Sequence, residues 1–317
     1  MNNYGFKSIL KEELYNFIEF KRSCGYKYEA AINHCKKIDN YWYSLNLNKI
    51  ELNEEDVMNY AKRKDNESIS YLKDRLYILK HFSLFLINQG YKNIYVYDYP
   101  IKQNKYQYVP YIYTEEDFTM FINAINNSKF YEKETYTTIF KLLYCTGLRL
   151  SEATHIKYKD LNLLEKTIKI TNGKNCNIRL IGLSNSMVET LKKYLNKRFK
   201  IDDDYIFSSK NNNFIRNTQL EHIFRIINDE CKIGIDAINR PRIHDFRHGF
   251  AIKTLDNMYE KGYDYYTILP ILSKYMGHAD ITHTEYYLRL TKHYHYKVID
   301  KEISYANNVI TEVSYDK

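Results

Sequence analysis

The motif His-Asp-Phe-Arg-His at 244–248 opens a stretch that runs through Gly277-His278 to the tyrosine pair Tyr286-Tyr287. The two histidines and the arginine of the motif fall on one face of a helix, because residues three and four apart are neighbours there. Thr282-His-Thr-Glu285 has the form of a capping box, which predicts the start of another helix. The second tyrosine then lies about a turn and a half along that helix.

This set of side chains suits chemistry on a phosphate. Arginine offers a planar fork of donors, histidine moves a proton near neutral pH, and tyrosine supplies an oxygen nucleophile. The alternative is an ordinary helix whose histidines are hydrogen-bonded polar residues with no catalytic role. This stretch alone leaves that alternative open. Zinc between His244 and His248 is disfavoured, because no glutamate separates them and Arg247 would bring a cation to the metal.

Length and charge indicate the class of protein. A chain of 317 residues exceeds the size at which single cores stop growing, so two domains are expected. The formal net charge of +8 favours a polyanionic partner, nucleic acid or membrane surface. No apolar run approaches the ~18 residues of a membrane span, and the polar start lacks a signal peptide core. We therefore expect a soluble, cytoplasmic protein with no membrane role.

Cysteines and tyrosines limit other interpretations. The five cysteines contain no C-x-x-C motif, so structural disulfides and a cysteine zinc site are not expected. Cys176, close to Lys174, is interpreted as incidental. The chain has 34 tyrosines, so only the spacing of a tyrosine from other motifs carries information.

Residues 1–96 predict a small bundle of four amphipathic helices. The first spans about 7–21, the second about 28–45, the third follows a cap at Asn53, and the fourth closes at Gly90. Its basic residues either line a DNA-facing surface or form an ordinary solvated face. They are Lys21, Arg22, Lys36, Lys37, Lys62, Arg63, Lys64, Lys73, Arg75 and Lys80.

Residues 97–113 lose helical periodicity and contain two of the four prolines, which predicts a linker. Its lysines and tyrosines could follow a nucleic-acid backbone. A second domain is expected over 114–317, with a tail from about 300. Its first helix should be capped by Thr114, and another should run from Lys133 to Cys145.

Further local patterns place the remaining candidates. Gly147 permits a tight break just before Arg149, and Glu152 lies within reach to orient that guanidinium. Strands at 167–171 and 177–181 flank Asn172-Gly173, the dipeptide favoured in tight hairpin turns, so Lys174 should lie near a hairpin tip. Two more capping boxes, at 186–189 and 218–221, predict helices that end near 198 and 234.

The ordered motifs resemble those of one family. Gly-Leu-Arg149, Gly-Lys174, His244-x-x-Arg247, Gly-His278 and Tyr287 appear in the order and separations of the tyrosine recombinase (phage integrase) family. The resemblance covers both inferred domains. Family members place the nucleophile nine residues after the Gly-His histidine, which selects Tyr287 over its neighbour. The long interval before that histidine resembles integrases of mobile elements. Because the first bundle helix begins almost at the N-terminus, we expect no separate arm-type DNA-binding domain.

The resemblance implies a mainly α fold with a small β-sheet, made of an N-terminal helical core-binding domain and a mixed α/β catalytic domain that clamp DNA. It implies attack of a tyrosine oxygen on a DNA phosphodiester, giving a 3′-phosphotyrosyl link and a free 5′-hydroxyl that later attacks back. The implied partners are double-stranded DNA with a specific recombination site and three further copies in a tetramer. No metal or nucleotide cofactor is implied, because the covalent link conserves bond energy.

The resemblance also implies a role for each residue. Arg149 and Arg247 would clamp the charged phosphate oxygens. Lys174 would protonate the departing 5′-oxygen, His244 would accept the phenol proton, and His278 would hydrogen-bond the phosphate. A type IB-like topoisomerase, or a DNA-binding architectural protein on the same scaffold, is the alternative.

Overall fold

A computed structural model describes residues 4–100, 108–171, 178–198, 201–209 and 213–291. The chain divides into two compact units, Met1–Gln107 and Tyr108–Lys317. Helices dominate both, and a three-stranded antiparallel sheet lies in the second. The predicted fold class, mainly α with a small sheet, is confirmed. In the described part of the chain, no helix combines the length and apolar character needed to cross a bilayer.

The first unit is a bundle of four helices: α1 (Lys11–Ser23), α2 (Glu29–Ser44), α3 (Glu54–Ala61) and α4 (Ile69–Asn88). The side chain of Asn53 accepts the Asp56 amide at 2.8 Å, as its predicted role as a cap requires. Phe17, Trp42 and Phe82 are almost fully buried in the core. The apolar stripes of the four helices therefore close on one another.

Arg75 is not on the basic surface where the sequence analysis placed it. Its side chain is fully buried and its Nε donates to Glu67 Oε1 at 2.8 Å. Its Nη1 also donates to the Tyr60 carbonyl, and its Nη2 to the Lys62 carbonyl at 3.2 Å. A guanidinium with a carboxylate and two carbonyl acceptors can lie in a core, which the pattern of charges alone does not indicate.

The second unit begins with helical layers and a small sheet. Its elements are α5 (Glu115–Asn127), α6 (Lys133–Thr146), α7 (Leu150–Thr154), β1 (Leu161–Asn162), β2 (Thr167–Ile170), β3 (Arg179–Gly182), α8 (Asn185–Leu195), α9 (Asn217–Glu230), α10 (Ile243–Glu260), α11 (Tyr265–Met276) and α12 (Thr282–Leu288). The strand order is β1-β2-β3. Thr114 and Asp117 form the predicted capping box at the start of α5. Ile168 and Ile181 pair across β2 and β3 and are buried, so the sheet adds its apolar face to the core.

Residues 108–113 of the predicted linker pack within the second unit. The Tyr113 hydroxyl donates to Asn228 Oδ1 at 2.5 Å, and its ring lies 4.7 Å from that of Phe246. The Tyr111 hydroxyl donates to Asp117 Oδ2 at 2.9 Å. These tyrosines are interior hydrogen-bonding groups in this structure, because their hydroxyls have protein acceptors.

Three predicted capping boxes are absent. Ser184, not Ser186, caps α8 by accepting the Met187 amide at 3.2 Å. Helix α9 begins one residue before Thr218, and no side chain caps it. No side chain caps α12 either, and the Thr282 amide donates to Asp280 Oδ1 at 2.9 Å. The pattern of a hydroxyl residue followed by glutamate does not fix which residue leaves helical geometry, so an upstream residue can take the role.

Candidate active site

Two glycine helix ends position the arginines. Gly147, after α6, and Gly277, after α11, have φ of 63° and 67°. A Cβ on Gly147 would lie 2.5 Å from the Phe250 ring, so glycine is required there for space as well as for backbone geometry. The Gly147 carbonyl accepts from Arg247 Nη1 at 2.7 Å, and the Gly277 carbonyl from Arg149 Nη2 at 2.9 Å. The two helix ends therefore fix both guanidiniums.

Arg149 immediately precedes α7, and Glu152 holds it. Its Nη1 donates to Glu152 Oε1 and its amide to Oε2, both at 2.9 Å, so the predicted orienting role of Glu152 is confirmed. The Arg149 side chain remains 25% exposed, whereas that of Glu152 is 2% exposed. Burial acts to raise the pKa of Glu152, but hydrogen bonds from Arg179 and the Arg149 amide bring it below its ordinary value. Glu152 is therefore a buried carboxylate at neutral pH.

Arg247 lies on α10 and is 2% exposed. Its Nη2 donates to the Met276 carbonyl at 2.6 Å and to His278 Nε2 at 3.0 Å. Because arginine can only donate, the neutral His278 ring carries its proton on Nδ1, which lies 2.8 Å from Thr284 Oγ1. Burial, followed by the charge of Arg149, lowers the pKa of Arg247 to about 10. It remains a cation at neutral pH.

Tyr287 lies on α12 and is 3% exposed. Its ring stacks on His278 with centroids 6.2 Å apart, and lies 5.5 Å from His248. Burial raises the pKa of the Tyr287 hydroxyl, while the charge and hydrogen bond of Arg247 act to lower it. The phenol is therefore neutral in this state and is held beside the guanidinium that would stabilise its anion.

The neighbouring tyrosine points elsewhere. The Tyr286 hydroxyl donates to the Tyr108 carbonyl, and its ring lies under the Arg289 guanidinium at 4.9 Å. The Tyr108 hydroxyl in turn donates to Asp245 Oδ1 at 3.0 Å. Of the pair, Tyr287 is the one whose hydroxyl faces the arginines.

Two histidines of α10 adjoin this cluster, with ring centroids 4.7 Å apart. His248 is buried, its Nδ1 has no partner among the described residues, and burial lowers its pKa to about 3. Desolvation by the surrounding protein, followed by the charges of Arg247 and Arg242, lowers the pKa of His244. Because His244 itself is exposed, water limits the size of that decrease. Within the described ranges, no three metal-binding side chains are grouped around an ion-sized space.

The structure brings five of the six sequence-predicted residues together: Arg149, His244, Arg247, His278 and Tyr287. The sixth, Lys174, lies outside the described residues. Its flanking strands pair as predicted, with Ile170 opposite Arg179.

A pocket of about 620 Å³ lies beside Arg149 and His244. Three further arginines line it, Arg225, Arg240 and Arg242, together with the acidic Glu221 and Asp229. The arginines of the lining outnumber its carboxylates, so the pocket favours an anionic group.

Sequence reasoning missed Arg179 and Thr284 as members of this site. Arg179 shares the inward face of β3 with the buried Ile181, two residues on. A charged residue on the buried face of a strand requires a partner, and that signal was available from alternation alone. Thr284 gave no such signal, because its contact with His278 depends on how α12 packs.

Residues 112–293 match the model of the phage integrase family, which is more than half of the chain. The chain belongs to the phage integrase family. Among its relatives, y4rB of Sinorhizobium fredii, provisionally named an integrase/recombinase, is 30% identical over 191 residues, covering 56% of this chain and 61% of that protein. The tyrosine recombinase XerA of Pyrococcus furiosus is 29% identical over 178 residues, covering 56% and 57%. The chain thus spans less than two thirds of the length of these curated relatives.

The same fold occurs in a solved structure of the Tn1549 transposon integrase in complex with a circular intermediate DNA. That structure matches with a TM-score of 0.64 at 19% identity, covering 87% of this chain and 94% of the other. At this identity the match establishes the fold of this phage integrase family member, and the chemistry depends on its own residues.

Proposed function

We propose that this protein is a site-specific DNA recombinase that cleaves and rejoins DNA through a covalent tyrosyl intermediate, in the service of a mobile element. The observation that carries the proposal is the meeting of the Tyr287 hydroxyl, His278 and Arg247, with Arg149 joined to the same helix end at Gly277. A nucleophile between two fixed cations fits attack on a phosphodiester, whose non-bridging oxygens gain negative charge in the transition state.

In the proposed step the Tyr287 oxygen attacks phosphorus and the bond to the 5′-oxygen breaks, leaving a 3′-phosphotyrosyl link and a 5′-hydroxyl. The phenol proton passes to His244, and Lys174 protonates the departing oxygen. Attack by a 5′-hydroxyl reverses these transfers and restores the phenol. His244 is neutral in the free protein, so it can accept a proton once a bound phosphate offsets the charges of Arg247 and Arg242.

His278 requires a change of partner in this scheme. Its Nε2 accepts from Arg247 in the free protein and so cannot donate there while neutral. A phosphate that draws Arg247 toward its own oxygens would free Nε2. The negative charge of the phosphate would raise the pKa of His278. Once protonated from solvent, His278 could donate to that phosphate.

The proposed partners are two DNA duplexes carrying a specific site and a tetramer of this chain. The basic helical unit, residues 1–107, would hold one face of the duplex, and the unit from 108 would hold the scissile phosphate. The net charge of +8 supports binding to a polyanion.

The experiment that tests the proposal uses nicked suicide duplexes tiled across the DNA that flanks the gene. Cleavage near the nick releases a short strand and traps the covalent complex, which survives SDS. Wild-type protein should form such a complex, and Tyr287→Phe should bind DNA without forming it. Tyr286→Phe is the matched control and should retain the adduct. A phenylalanine at 287 that still forms the adduct would overturn the assignment, and relaxation of supercoiled DNA without a preferred site would favour a topoisomerase.

A further inference from the structure

The Glu152 carboxylate is shared between two arginines. Its Oε1 accepts from Arg149 Nη1 at 2.9 Å and from Arg179 Nη1 at 3.1 Å. Its Oε2 accepts from the Arg149 amide at 2.9 Å and from Arg179 Nη2 at 2.8 Å. With four donors on two oxygens, this carboxylate is fully satisfied although it is buried.

Arg179 also reaches the chain segment that leads to His278. Its Nε donates to the Tyr275 carbonyl at 2.7 Å. A Cβ on Gly277 would lie 2.8 Å from Arg179 Nη1, so the guanidinium packs directly on that turn. Gly277 is the residue whose carbonyl accepts from Arg149. One side chain from β3 therefore contacts both groups that hold Arg149.

Because Glu152 is shared between two arginines, it also sets the net charge of this cluster. A carboxylate paired with Arg149 alone would cancel its charge, whereas one carboxylate between two guanidiniums leaves a net positive charge. The Arg179 side chain is 8% exposed and that of Arg149 is 25% exposed, so the cation that faces solvent is Arg149. A phosphate approaching from that side meets the surplus charge.

We propose that Arg179 is a positioning residue for DNA cleavage, which fixes the Arg149 guanidinium through Glu152 and keeps its positive charge available to the scissile phosphate. This inference rests on the proposed recombinase function. Arg179 itself does not contact the substrate in this scheme.

The protonation of Glu152 gives a consequence that packing alone would not. The charged groups that face this carboxylate are Arg149 at the start of α7, Arg179 on β3 and Arg247 on α10. The hydrogen bond from Arg179 is the largest influence that lowers the pKa of Glu152. Without Arg179 the pKa rises, so the carboxylate takes up a proton at a higher pH and releases Arg149 there.

The test measures single-turnover cleavage by Arg179→Met across a range of pH. Its substrate is the flanking-DNA suicide duplex on which wild type forms the covalent complex. We expect a rate about 100-fold below wild type at neutral pH, the loss typical of a misplaced reacting group, with duplex affinity nearly unchanged. The acid side of the pH profile should move to higher pH. Arg179→Lys should be intermediate because it retains the charge and loses the fork, and it serves if the methionine variant does not fold. Arg198→Met is the matched control: it removes a part-buried arginine that contacts Glu134 and Tyr194, and it should cleave like wild type.

The outcomes separate this inference from the proposed function. If wild type and Arg198→Met form no adduct on any flanking duplex, the recombinase proposal fails. If they do and both Arg179 variants cleave at the wild-type rate, the positioning role is wrong. A rate that falls only with the folded fraction, with the pH profile unmoved, would also overturn it. In Arg179→Met/Glu152→Gln the profile shift should vanish, and its persistence would assign the shift to another group.

Discussion

Each unit contains a buried arginine and glutamate pair, and the two differ in what surrounds them. In the first unit Arg75 is fully buried, and Glu67 and two backbone carbonyls occupy its donors. In the second, Glu152 is shared by two arginines and the Arg149 side chain remains 25% exposed. The first arrangement is neutral and closed, which suits a structural role. The second is cationic and open, which suits binding an anion.

The largest effect should come from Arg149, the partly exposed arginine that contacts Glu152. Arg149→Ala should reduce single-turnover cleavage of the trapped duplex by about 10³–10⁵-fold, the range that arginines contribute to phosphoryl transfer. Duplex affinity and thermal unfolding should change little, because the side chain is partly exposed and Glu152 keeps Arg179. An Arg149→Ala variant that lost stability and kept its cleavage rate would show that Arg149 is structural, as Arg75 is.

The closed pair should behave in the opposite way. Arg75→Met should lower the free energy of unfolding by about 3–5 kcal/mol, because it leaves Glu67 buried without a cation. Cleavage per folded molecule should stay near wild type. Urea denaturation measures the free energy of unfolding. Arg22→Met, which breaks a partly exposed pair with Glu19, is the control and should cost only about 0–1 kcal/mol.

A paired substitution sharpens this result. Adding Glu67→Gln to Arg75→Met removes the uncompensated charge, so much of the lost stability should return. Equal stabilities for the single and double variants would show that the loss came from packing and not from the buried carboxylate.

The smallest expected effect compares one histidine from each unit. Burial lowers the pKa of His248 to about 3, so it is neutral when folded and binds a proton when unfolded at mildly acidic pH. Its contribution to stability is complete above about pH 6.5 and is lost as pH falls from there toward 3. Between pH 7 and pH 5, wild type should lose about 2 kcal/mol more than His248→Gln.

His34 of the first unit is the matched histidine. Its Nδ1 also has no partner among the described residues, and burial lowers its pKa, but Asp74 opposes that shift. His34→Gln should therefore change the pH dependence of urea denaturation less than His248→Gln does. The reverse order would contradict the assignment of His248 as the more strongly neutralised imidazole.

The sequence predicted some helix caps correctly and others wrongly, and the difference has a physical reason. The caps at Asn53 and Thr114 were correct because each donor and acceptor lies within three residues. The boxes at Ser186 and Thr282 were wrong, since upstream side chains accept from amides two or three residues on: Ser184 from that of Met187, and Asp280 from that of Thr282. Local pattern indicates that a helix starts, and neighbouring contacts select the residue.

The same limit applies to the charged residues. Arg149 and Glu152 are three residues apart, so their contact could be predicted. Arg75 is eight residues from Glu67, and Arg179 is 27 from Glu152, so both partnerships depend on tertiary packing. The family motifs located the candidate site without these contacts, because they identify residue types in order and not the groups that hold them.

The role of Tyr287 as nucleophile is tested by identifying the tyrosine that becomes bonded to DNA. Wild-type protein trapped on a suicide duplex can be digested with nuclease and protease, and the nucleotide-bearing peptide sequenced by mass spectrometry. We expect the modification on Tyr287, whose hydroxyl faces Arg247. A nucleotide on Tyr286, or on any residue outside this cluster, would contradict it.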